Sequence, residues 1–272
     1  MKKDIKVVAL DLDGTLTNSQ KEITPATRAA IDQAREQDIK IVLASGRPHI
    51  GIHTVAEALD VKNNGGYILS FNGGKIVECK TGEVIYEKTI DSQCFEDICD
   101  CVNKFDDVSP LTYDDEGIVT EHPDAKYVLR EAFNCTIPIR KVDSLYDEVR
   151  GKNIVKFMIV GEHEKLEPVR EYLLSKYADK LSVYYSETYF LEIMAPNIAK
   201  DKSLAVLLEK FGTTKDHLMA CGDGLNDLPM LKYAGFSVAM ENACEQAKEV
   251  SDYITKSNDE DGVAYALHEF VL

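Results

Sequence analysis

The stretch KVVALDLDGT, residues 6–15, decides the fold class of this chain. Its apolar run, which ends at Leu10, predicts a strand buried inside a sheet. Asp11 stops the run, and Asp13 and Gly14 follow in a tight turn. Two carboxylates at this spacing can perform different steps, because one can act as a nucleophile while the other transfers a proton.

Strands and helices alternate near both ends of the chain. Apolar runs at 39–44, 217–221 and 236–240 predict further buried strands, and residues 203–211 have the periodicity of a helix. This alternation is typical of an α/β fold in which helices cover both faces of a parallel sheet. Residues 242–245 (NACE) resemble a capping box and predict the start of another helix.

The middle of the chain has a different pattern, with alternating strands and turn signals such as residues 114–117 (DDEG). The N-terminal part supplies too few parallel strands to enclose a core by itself. We therefore expect one core domain made from residues 1–84 and 193–272, with residues 85–192 inserted as a second α/β domain. Three domains in series are the alternative arrangement.

Polar residues follow three of the predicted buried strands. Ligands bind outside the carboxyl ends of the strands in an open parallel sheet, so these residues converge if the strands are neighbours. The converging set consists of Asp11, Asp13, Ser45, Asp223 and Asp227. Several carboxylates at one place repel one another unless a hard cation neutralises them, and all-oxygen ligation indicates Mg²⁺.

The acidic motifs fit other classes of site less well. Asp11, Asp13 and Glu22 have the spacing of a calcium loop, but Leu16 stands where that loop requires glycine. Residues 222–227 (GDGLND) lack the third glycine of a dinucleotide-binding fingerprint and the Gly-Lys-Ser/Thr of a P-loop. An ordinary turn at a strand end is the alternative for each motif taken alone.

Two further features concern anion binding. Ser45-Gly46-Arg47 follows the second strand and can hold an anion with a hydroxyl and backbone N–H groups. Lys200 stands just after the chain returns to the core pattern, ahead of the helix at 203–211. A lone lysine is usually a solvated surface charge, and Lys202 is close enough to be mistaken for it.

The composition limits the classes of partner. The chain has 272 residues and a formal net charge of −16, so it lacks the general positive charge that binds nucleic acid or anionic lipid. No apolar run approaches the roughly 18 residues typical of a membrane span. The seven cysteines form no CxxC pair and are irregularly spaced, which predicts reduced thiols in a cytoplasmic protein.

Four motifs of this sequence resemble, in the same order, those of the haloacid dehalogenase-like superfamily. They are Asp11-Leu12-Asp13-Gly14-Thr15, Ser45-Gly46-Arg47, Lys200 and Gly222-Asp223-Gly224-Leu225-Asn226-Asp227. The long insertion before the lysine, with residues 191–193 (LEI) and 261–264 (DGVA), resembles the Cof-type phosphatases with an inserted α/β cap. The resemblance covers nearly the whole chain and implies a Rossmann-like core. One departure is Asp201, because the family usually has glycine after the motif lysine.

The resemblance implies a role for each motif residue. Asp11 is the implied nucleophile and a Mg²⁺ ligand, and Asp13 is the implied general acid and base, with its backbone carbonyl on the metal. Asp223 completes the implied protein ligands, and Asp227 is expected to hold a metal-bound water. The implied phosphate-binding residues are Leu12, Ser45, Gly46, Lys200 and Asn226, of which Leu12 and Gly46 act through the backbone.

The activity implied by the resemblance is Mg²⁺-dependent hydrolysis of small phosphomonoesters, with sugar phosphates as the expected class, through an aspartyl-phosphate. A phosphomutase of the same fold and a non-catalytic phosphate-binding regulator are the alternatives. The inserted domain is expected to close over the site and exclude bulk water. The expected partner is the small-molecule substrate, and neither nucleic acid nor a membrane is expected as a partner. The sequence gives no information on the oligomeric state.

Overall fold

The structure is a computed structural model that describes residues 2–272. Its strands are β1 (Val7–Leu10), β2 (Lys40–Ala44), β3 (Tyr67–Ser70), β4 (Lys75–Glu78), β5 (Val84–Glu87), β6 (Ser109–Tyr113), β7 (Ile118–Thr120), β8 (Ile139–Lys141), β9 (Lys156–Val160), β10 (Ser182–Glu187), β11 (Phe190–Met194), β12 (Leu218–Gly222), β13 (Phe236–Ala239) and β14 (Tyr253–Ile254). Its α-helices are α1 (Pro25–Glu36), α2 (His53–Ala58), α3 (Val61–Asn64), α4 (Phe95–Cys99), α5 (Cys101–Lys104), α6 (Lys126–Cys135), α7 (Leu145–Val149), α8 (His163–Tyr177), α9 (Lys200–Lys210), α10 (Leu228–Tyr233), α11 (Glu245–Val250) and α12 (Gly262–Phe270). Short 3₁₀ turns include Phe71–Gly73, Leu225–Asp227 and Asn258–Glu260.

The chain forms two compact units. Unit 1 combines the residues up to Tyr86 with Ala199–Leu272, and unit 2 is Glu87–Ile198. The predicted borders at 84/85 and 192/193 lie two and six residues before those of the two units, and the second falls inside β11. Every residue of β11 pairs with β9, so the second sheet continues past residue 192.

Unit 1 is built on an eight-stranded sheet in the order β14-β13-β12-β1-β2-β3-β4-β5. The strand β1 lies near its centre, parallel to both β12 and β2. Each of the four residues of β1 is at most 1% exposed, as expected for an uninterrupted apolar run between two neighbouring strands. The predicted α/β fold with a parallel sheet is therefore confirmed, and an antiparallel hairpin of β3 and β4 extends it.

The helices of unit 1 begin where local signals allow. Thr24 Oγ1 accepts a hydrogen bond of 3.1 Å from the Thr27 N–H, which caps α1. The helix α9 begins at Lys200, earlier than the predicted residue 203. The helix α11 begins at Glu245, but the capping-box prediction is wrong because Asn242 does not cap it. The Asn242 amide instead donates to a backbone carbonyl far away in the sequence.

Unit 2 has a six-stranded sheet in the order β10-β11-β9-β6-β7-β8, in which only the β7–β8 pair is parallel. Phe157 and Ile159 of β9 belong to an apolar core completed by residues of α4, α7 and α8. Alternate residues point to the opposite face of the sheet. There Lys156 is 3% exposed, and its Nζ lies 3.4 Å from Oε1 of Glu192. The second face therefore carries a buried charged pair.

The longest helix in the described part of the chain is α8, with 15 residues. A helix needs about 20 mainly apolar residues to cross the hydrocarbon core of a bilayer. Within residues 2–272, no helix combines sufficient length with sufficient apolar character to do so.

Candidate active site

The carboxyl ends of three neighbouring strands meet at one edge of the unit 1 sheet. Asp11 directly follows β1, Ser45 directly follows β2, and Asp223 directly follows β12. Because β1 pairs in parallel with both of the other strands, these three residues lie along the same edge. The structure thus brings them together as the strand pattern predicts.

Lys200 donates hydrogen bonds to three oxygen atoms at this edge. Its Nζ lies 2.6 Å from Oδ1 of Asp11, 2.6 Å from Oδ1 of Asp227 and 2.8 Å from the Ala44 carbonyl oxygen. Its side chain is fully buried, whereas that of Lys202 is 68% exposed. Burial alone would lower the pKa of Lys200, but the two carboxylates outweigh it and raise the pKa. The lysine at the site is therefore Lys200, and it is held in its charged form.

Two carboxyl groups beside the lysine have raised pKa values. Burial is the main cause for Asp11, which is 5% exposed; the charge of Asp227 adds to the shift, and Lys200 opposes it. Burial also raises the pKa of Asp223 to about 6, although Thr15 Oγ1 donates a hydrogen bond of 2.8 Å to its Oδ1. Both shifts indicate carboxylates with too little positive charge around them.

Asp227 is fully engaged by groups of the protein. Its Oδ2 accepts the N–H groups of Asp223 at 3.0 Å and Gly224 at 2.9 Å, while its Oδ1 accepts from Lys200. A Cβ added to Gly222 would lie 2.6 Å from the Cβ of Asp227, so the loop closes tightly around this carboxylate. Asp227 therefore shapes the loop and orients the lysine, and its expected contact with a metal-bound water stays a prediction.

The acidic residues at this edge fit a hard divalent cation. One carboxylate oxygen from each of Asp11, Asp223 and Asp227 can be chosen so that all three lie within 4.8 Å of one another. Lys200 supplies a single positive charge to these three carboxylates, which leaves two negative charges uncompensated when all are ionised. Oxygen ligands and excess negative charge are what Mg²⁺ requires. Asp11 and Asp223 are the better placed ligands, because both oxygens of Asp227 already accept hydrogen bonds.

Asp13 lies in the turn after β1 and is paired with two cations. Arg47 binds it with both ends of its guanidinium group, with Nε 2.8 Å from Oδ2 and Nη2 2.6 Å from Oδ1. The ammonium group of Lys21 also donates to Oδ1. Burial would raise the pKa of Asp13, but these hydrogen bonds and charges outweigh it, so the pKa is lowered.

Asn72 lies beside two of the predicted phosphate-binding residues, Gly46 and Asn226. Ser45 Oγ accepts the Arg47 N–H at 3.1 Å, which leaves its own proton available to an anion. A Cβ on Gly46 would lie 3.0 Å from Oδ1 of Asn72, and Asn226 Nδ2 lies 3.4 Å from the same oxygen. Asn72 thus joins the second motif to the fourth.

Leu12 belongs to the site through its backbone. Its side chain is fully buried in the core, and its carbonyl oxygen accepts from both the N–H and the Oγ1 of Thr17 at 3.0 Å. These bonds fold the chain after Asp11 into a compact turn. The role of the Leu12 N–H in phosphate binding stays a prediction.

Sequence reasoning missed three residues at this edge, namely Lys21 and Arg47 as partners of Asp13, and Asn72 beside Gly46. Asn72 lies in the turn between the antiparallel strands β3 and β4. It also follows β3, the next parallel strand after β2. The rule that found Ser45 would therefore have found Asn72 as well. Lys21 carries no such signal, because it lies in an irregular loop.

Comparison with known proteins agrees with this geometry. The family model described as haloacid dehalogenase-like hydrolase matches residues 8–267. A crystal structure of a haloacid dehalogenase-like hydrolase from Bacteroides thetaiotaomicron is 43% identical, with a TM-score of 0.91, covering 97% of this chain and 99% of that one. A Bacillus subtilis 5-amino-6-(5-phospho-D-ribitylamino)uracil phosphatase is 29% identical over 273 residues, 99% of this chain and 97% of the relative.

A third similar protein is the subclass IIB sugar phosphatase BT4131, whose structure is 25% identical with a TM-score of 0.79, covering 97% of this chain and 98% of the other. The match of the family model extends from β1 to α12 and so includes all four motifs. The relatives align over almost their full length, so the resemblance is not confined to the motifs. The chain therefore belongs to the haloacid dehalogenase-like hydrolase family, as a phosphatase.

Proposed function

We propose that this protein hydrolyses small phosphomonoesters, sugar phosphates among them, with Mg²⁺ as cofactor and an aspartyl-phosphate on Asp11 as intermediate. The observation that carries the proposal is the buried contact of 2.6 Å between Asp11 Oδ1 and Lys200 Nζ. It orients a carboxylate beside a fixed positive charge at the edge where an anionic substrate would bind. Asp13 stands two residues away as the proton-transfer group.

The reaction consists of two transfers of the phosphoryl group. In the first, a carboxylate oxygen of Asp11 forms a bond to phosphorus, the bond from phosphorus to the ester oxygen breaks, and Asp13 donates a proton to the departing alcohol. In the second, water attacks phosphorus, Asp13 takes a proton from that water, and Asp11 leaves as a carboxylate. Lys200 and Ser45 hold phosphoryl oxygens in both steps.

The arrangement around Asp13 favours the second step. Arg47 and Lys21 lower the pKa of Asp13, which favours the carboxylate that accepts a proton from water. If Asp13 protonates the leaving oxygen, their two positive charges would also stabilise negative charge that develops on that oxygen. We assign Arg47 and Lys21 to the leaving-group side of the site, beside Asp13.

Asp11, Asp223 and the backbone carbonyl of Asp13 are the groups proposed to hold Mg²⁺. When bound, the ion offsets the negative charges that the carboxylates and the phosphate bring together. The uncompensated charge at this edge and the raised pKa of Asp223 support the proposal. Asp227 contributes by holding the loop that carries Asp223.

The proposed substrate class rests on similarity. The sugar phosphatase BT4131 and the phosphoribitylaminouracil phosphatase of Bacillus subtilis both have names that denote phosphate esters of polyhydroxylated compounds. We propose the same class for this chain.

The test is release of inorganic phosphate from a panel of sugar phosphates and one aryl phosphate. Each assay is run with Mg²⁺, with a chelator, and with the variants Asp11→Asn and Asp38→Asn. Asp38 is an exposed aspartate of unit 1 that pairs with Lys40, so it serves as a matched control. We expect release that needs Mg²⁺, is lost in Asp11→Asn and is unchanged in Asp38→Asn. Transfer of phosphate between substrate positions without release would instead identify a mutase.

A further inference from the structure

The segment near the C-terminus carries a motif, residues 261–264, that the proposed chemistry does not use. Three side chains of this region contact one loop near the start of the chain, Gly14–Glu22, and a fourth contacts Thr24, just after it. We name the group of Asn242, Asn258, Asp259 and Asp261 the C-terminal clamp. We propose that the C-terminal clamp is a positioning element that holds this loop, and through it Asp13, in the geometry needed for leaving-group protonation. The inference rests on the proposed function.

Two asparagines donate hydrogen bonds to the backbone near Asp13. Asn242 Nδ2 donates to the Gly14 carbonyl at 2.8 Å, and Asn258 Nδ2 donates to the Thr17 carbonyl at 2.9 Å. The Asn258 N–H in turn donates to Oδ1 of Asn242 at 3.0 Å, so the two asparagines form one connected unit. Gly14 adjoins Asp13 in the chain, and Thr17 forms a backbone bridge with Asp13. Both accepting carbonyls are therefore directly linked to the acid.

The two aspartates of the C-terminal clamp hold the far end of the same loop. The Oδ1 and Oδ2 atoms of Asp259 accept the N–H of Ser19 at 2.7 Å and its Oγ at 2.6 Å. Asp261 accepts from the hydroxyl of Thr24, the residue that caps α1. The loop is thus bound from its first residue to the helix that follows it.

The loop holds its outer half partly through local hydrogen bonds, in which Asn18 Oδ1 accepts the N–H groups of Gln20 and Glu22. Its buried residues are confined to Thr15, Leu16 and Thr17, while positions 19–22 are exposed. Exposed polar segments without apolar contacts open locally at low free energy. Lys21, which pairs with Asp13, lies in this exposed part. The local bonds around Asn18 stay within the loop, whereas the bonds from Ser19 to Asp259 tie this exposed part to the C-terminal clamp.

The backbone at Gly14 is packed closely against the side chain of Asp223. Gly14 has φ of +80°, and a Cβ there would lie 2.4 Å from Oδ2 of Asp223. The peptide is thus confined between Asp223 on one side and the Asn242 amide on the other. If that amide is removed, the turn is free to move away from Asp223, and Asp13 moves with it.

The 261–264 motif stabilises the turn that carries Asn258 of the C-terminal clamp. Gly262 N–H donates to the Ser257 carbonyl at 3.0 Å, and Thr255 Oγ1 donates to the Gly262 carbonyl at 2.8 Å. A Cβ on Gly262 would lie 2.1 Å from the Lys256 carbonyl oxygen. These contacts close the turn that presents Asn258 to the loop, which explains the glycine of this motif.

The proposal predicts a dependence on the leaving group. An alkyl phosphate needs its leaving oxygen protonated, whereas 4-nitrophenyl phosphate releases a stable anion and gains little from an acid. A displaced Asp13 therefore lowers kcat/KM for the sugar phosphate turned over fastest in the panel on the order of 10²-fold. For 4-nitrophenyl phosphate we expect a loss of only a few-fold. General loosening of the fold would lower both values equally.

The experiment compares Asn242→Ala, Asn258→Ala and Asn242→Asp with the control Asn63→Ala. Asn63 is an exposed asparagine of unit 1 whose amide donates to Asp60 at 2.8 Å, away from the site. Asn242→Asp keeps the acceptor for the Asn258 N–H but loses the donor to Gly14, so it should behave like the alanine variant. Hydrogen exchange of residues 14–22, measured without Mg²⁺, should become faster in the three clamp variants and remain unchanged in the control.

The outcomes separate this inference from the proposed function. Asp13→Ala is the reference, and its loss must be larger on the sugar phosphate than on 4-nitrophenyl phosphate. If the wild type is inactive or Asp13→Ala shows no such difference, the proposed function fails. If Asp13→Ala shows the difference but Asn242→Ala and Asn242→Asp match Asn63→Ala, or lose both substrates equally, the C-terminal clamp is structural only and the inference is wrong.

Discussion

Replacement of Lys200 by methionine tests whether the buried charges of the site depend on this one cation. The side chain is fully buried, and its Nζ lies 2.6 Å from an oxygen of each of Asp11 and Asp227. Lys200→Met keeps most of the apolar stem but leaves both carboxylates without their partner. Breaking a buried ion pair from one side costs about 3–5 kcal/mol of unfolding free energy. We expect a loss of this size at pH 8.

The loss should shrink as the pH falls. In the wild type the raised pKa of Lys200 keeps it charged, so its contribution is fully present below its unfolded pKa and constant from pH 5 to 8. In the variant, Asp11 loses the partner that opposes its raised pKa. A carboxyl group whose pKa is higher in the folded state than in the unfolded state destabilises the fold above its unfolded pKa. Protonation toward pH 5 removes part of that penalty.

The assay is urea unfolding followed by far-UV circular dichroism at pH 5, 6, 7 and 8, because the chain contains no tryptophan for fluorescence. Lys202→Met is the matched control, since its side chain is 68% exposed, and it should stay within about 0.5 kcal/mol of wild type. A loss below 1 kcal/mol in Lys200→Met, or a loss that does not change with pH, would refute the argument that the two carboxylates depend on this lysine.

Three further changes test other parts of the structure. Asp223→Asn should weaken Mg²⁺ binding in calorimetry, and wild-type affinity should fall as the pH drops through about 6, because protons then compete for this carboxylate. Asp97→Asn removes a carboxylate that accepts from Lys104, Lys176 and Tyr172, and should cost about 1–3 kcal/mol in urea unfolding at pH 7. That cost should diminish at acidic pH, since a lowered pKa stabilises only above the unfolded value. Gly14→Ala should abolish phosphate release while circular dichroism stays native, because its Cβ would lie 2.4 Å from Oδ2 of Asp223.

The residues that sequence reasoning located share one physical property: they stand at the ends of apolar runs. Asp11, Ser45 and Asp223 each follow a strand whose burial is written in consecutive apolar residues, and parallel pairing then forces them to one edge. The periodic pattern therefore predicts both the fold and the position of these three residues. Lys200 was located only through its place in the motif order, because nothing local marks a lysine as buried.

The residues that sequence reasoning missed are held by polar contacts, which produce no periodic pattern in the sequence. The bonds from Arg47 to Asp13 and from Asn242 to Gly14 join positions far apart in the sequence, through polar side chains that also suit turns and caps. Asn242 is a residue type that often caps helices, but its amide donates to the Gly14 carbonyl instead. The predicted border at 192/193 falls inside β11 for a related reason, since only pairing with β9 shows that β11 continues to Met194.

The charges at the site explain why one cation is not enough. Lys200 neutralises Asp11 through a direct hydrogen bond, and the same ammonium group also serves Asp227 and the Ala44 carbonyl. A phosphate that binds beside Asp11 therefore competes with these acceptors for a donor that is already shared. Arg47 and Lys21 cannot replace it, because both are committed to Asp13. The proposed attack of Asp11 on phosphate would bring two anions together at this edge, so a bound divalent ion would favour it, and Asp11 and Asp223 are the side chains proposed to hold that ion.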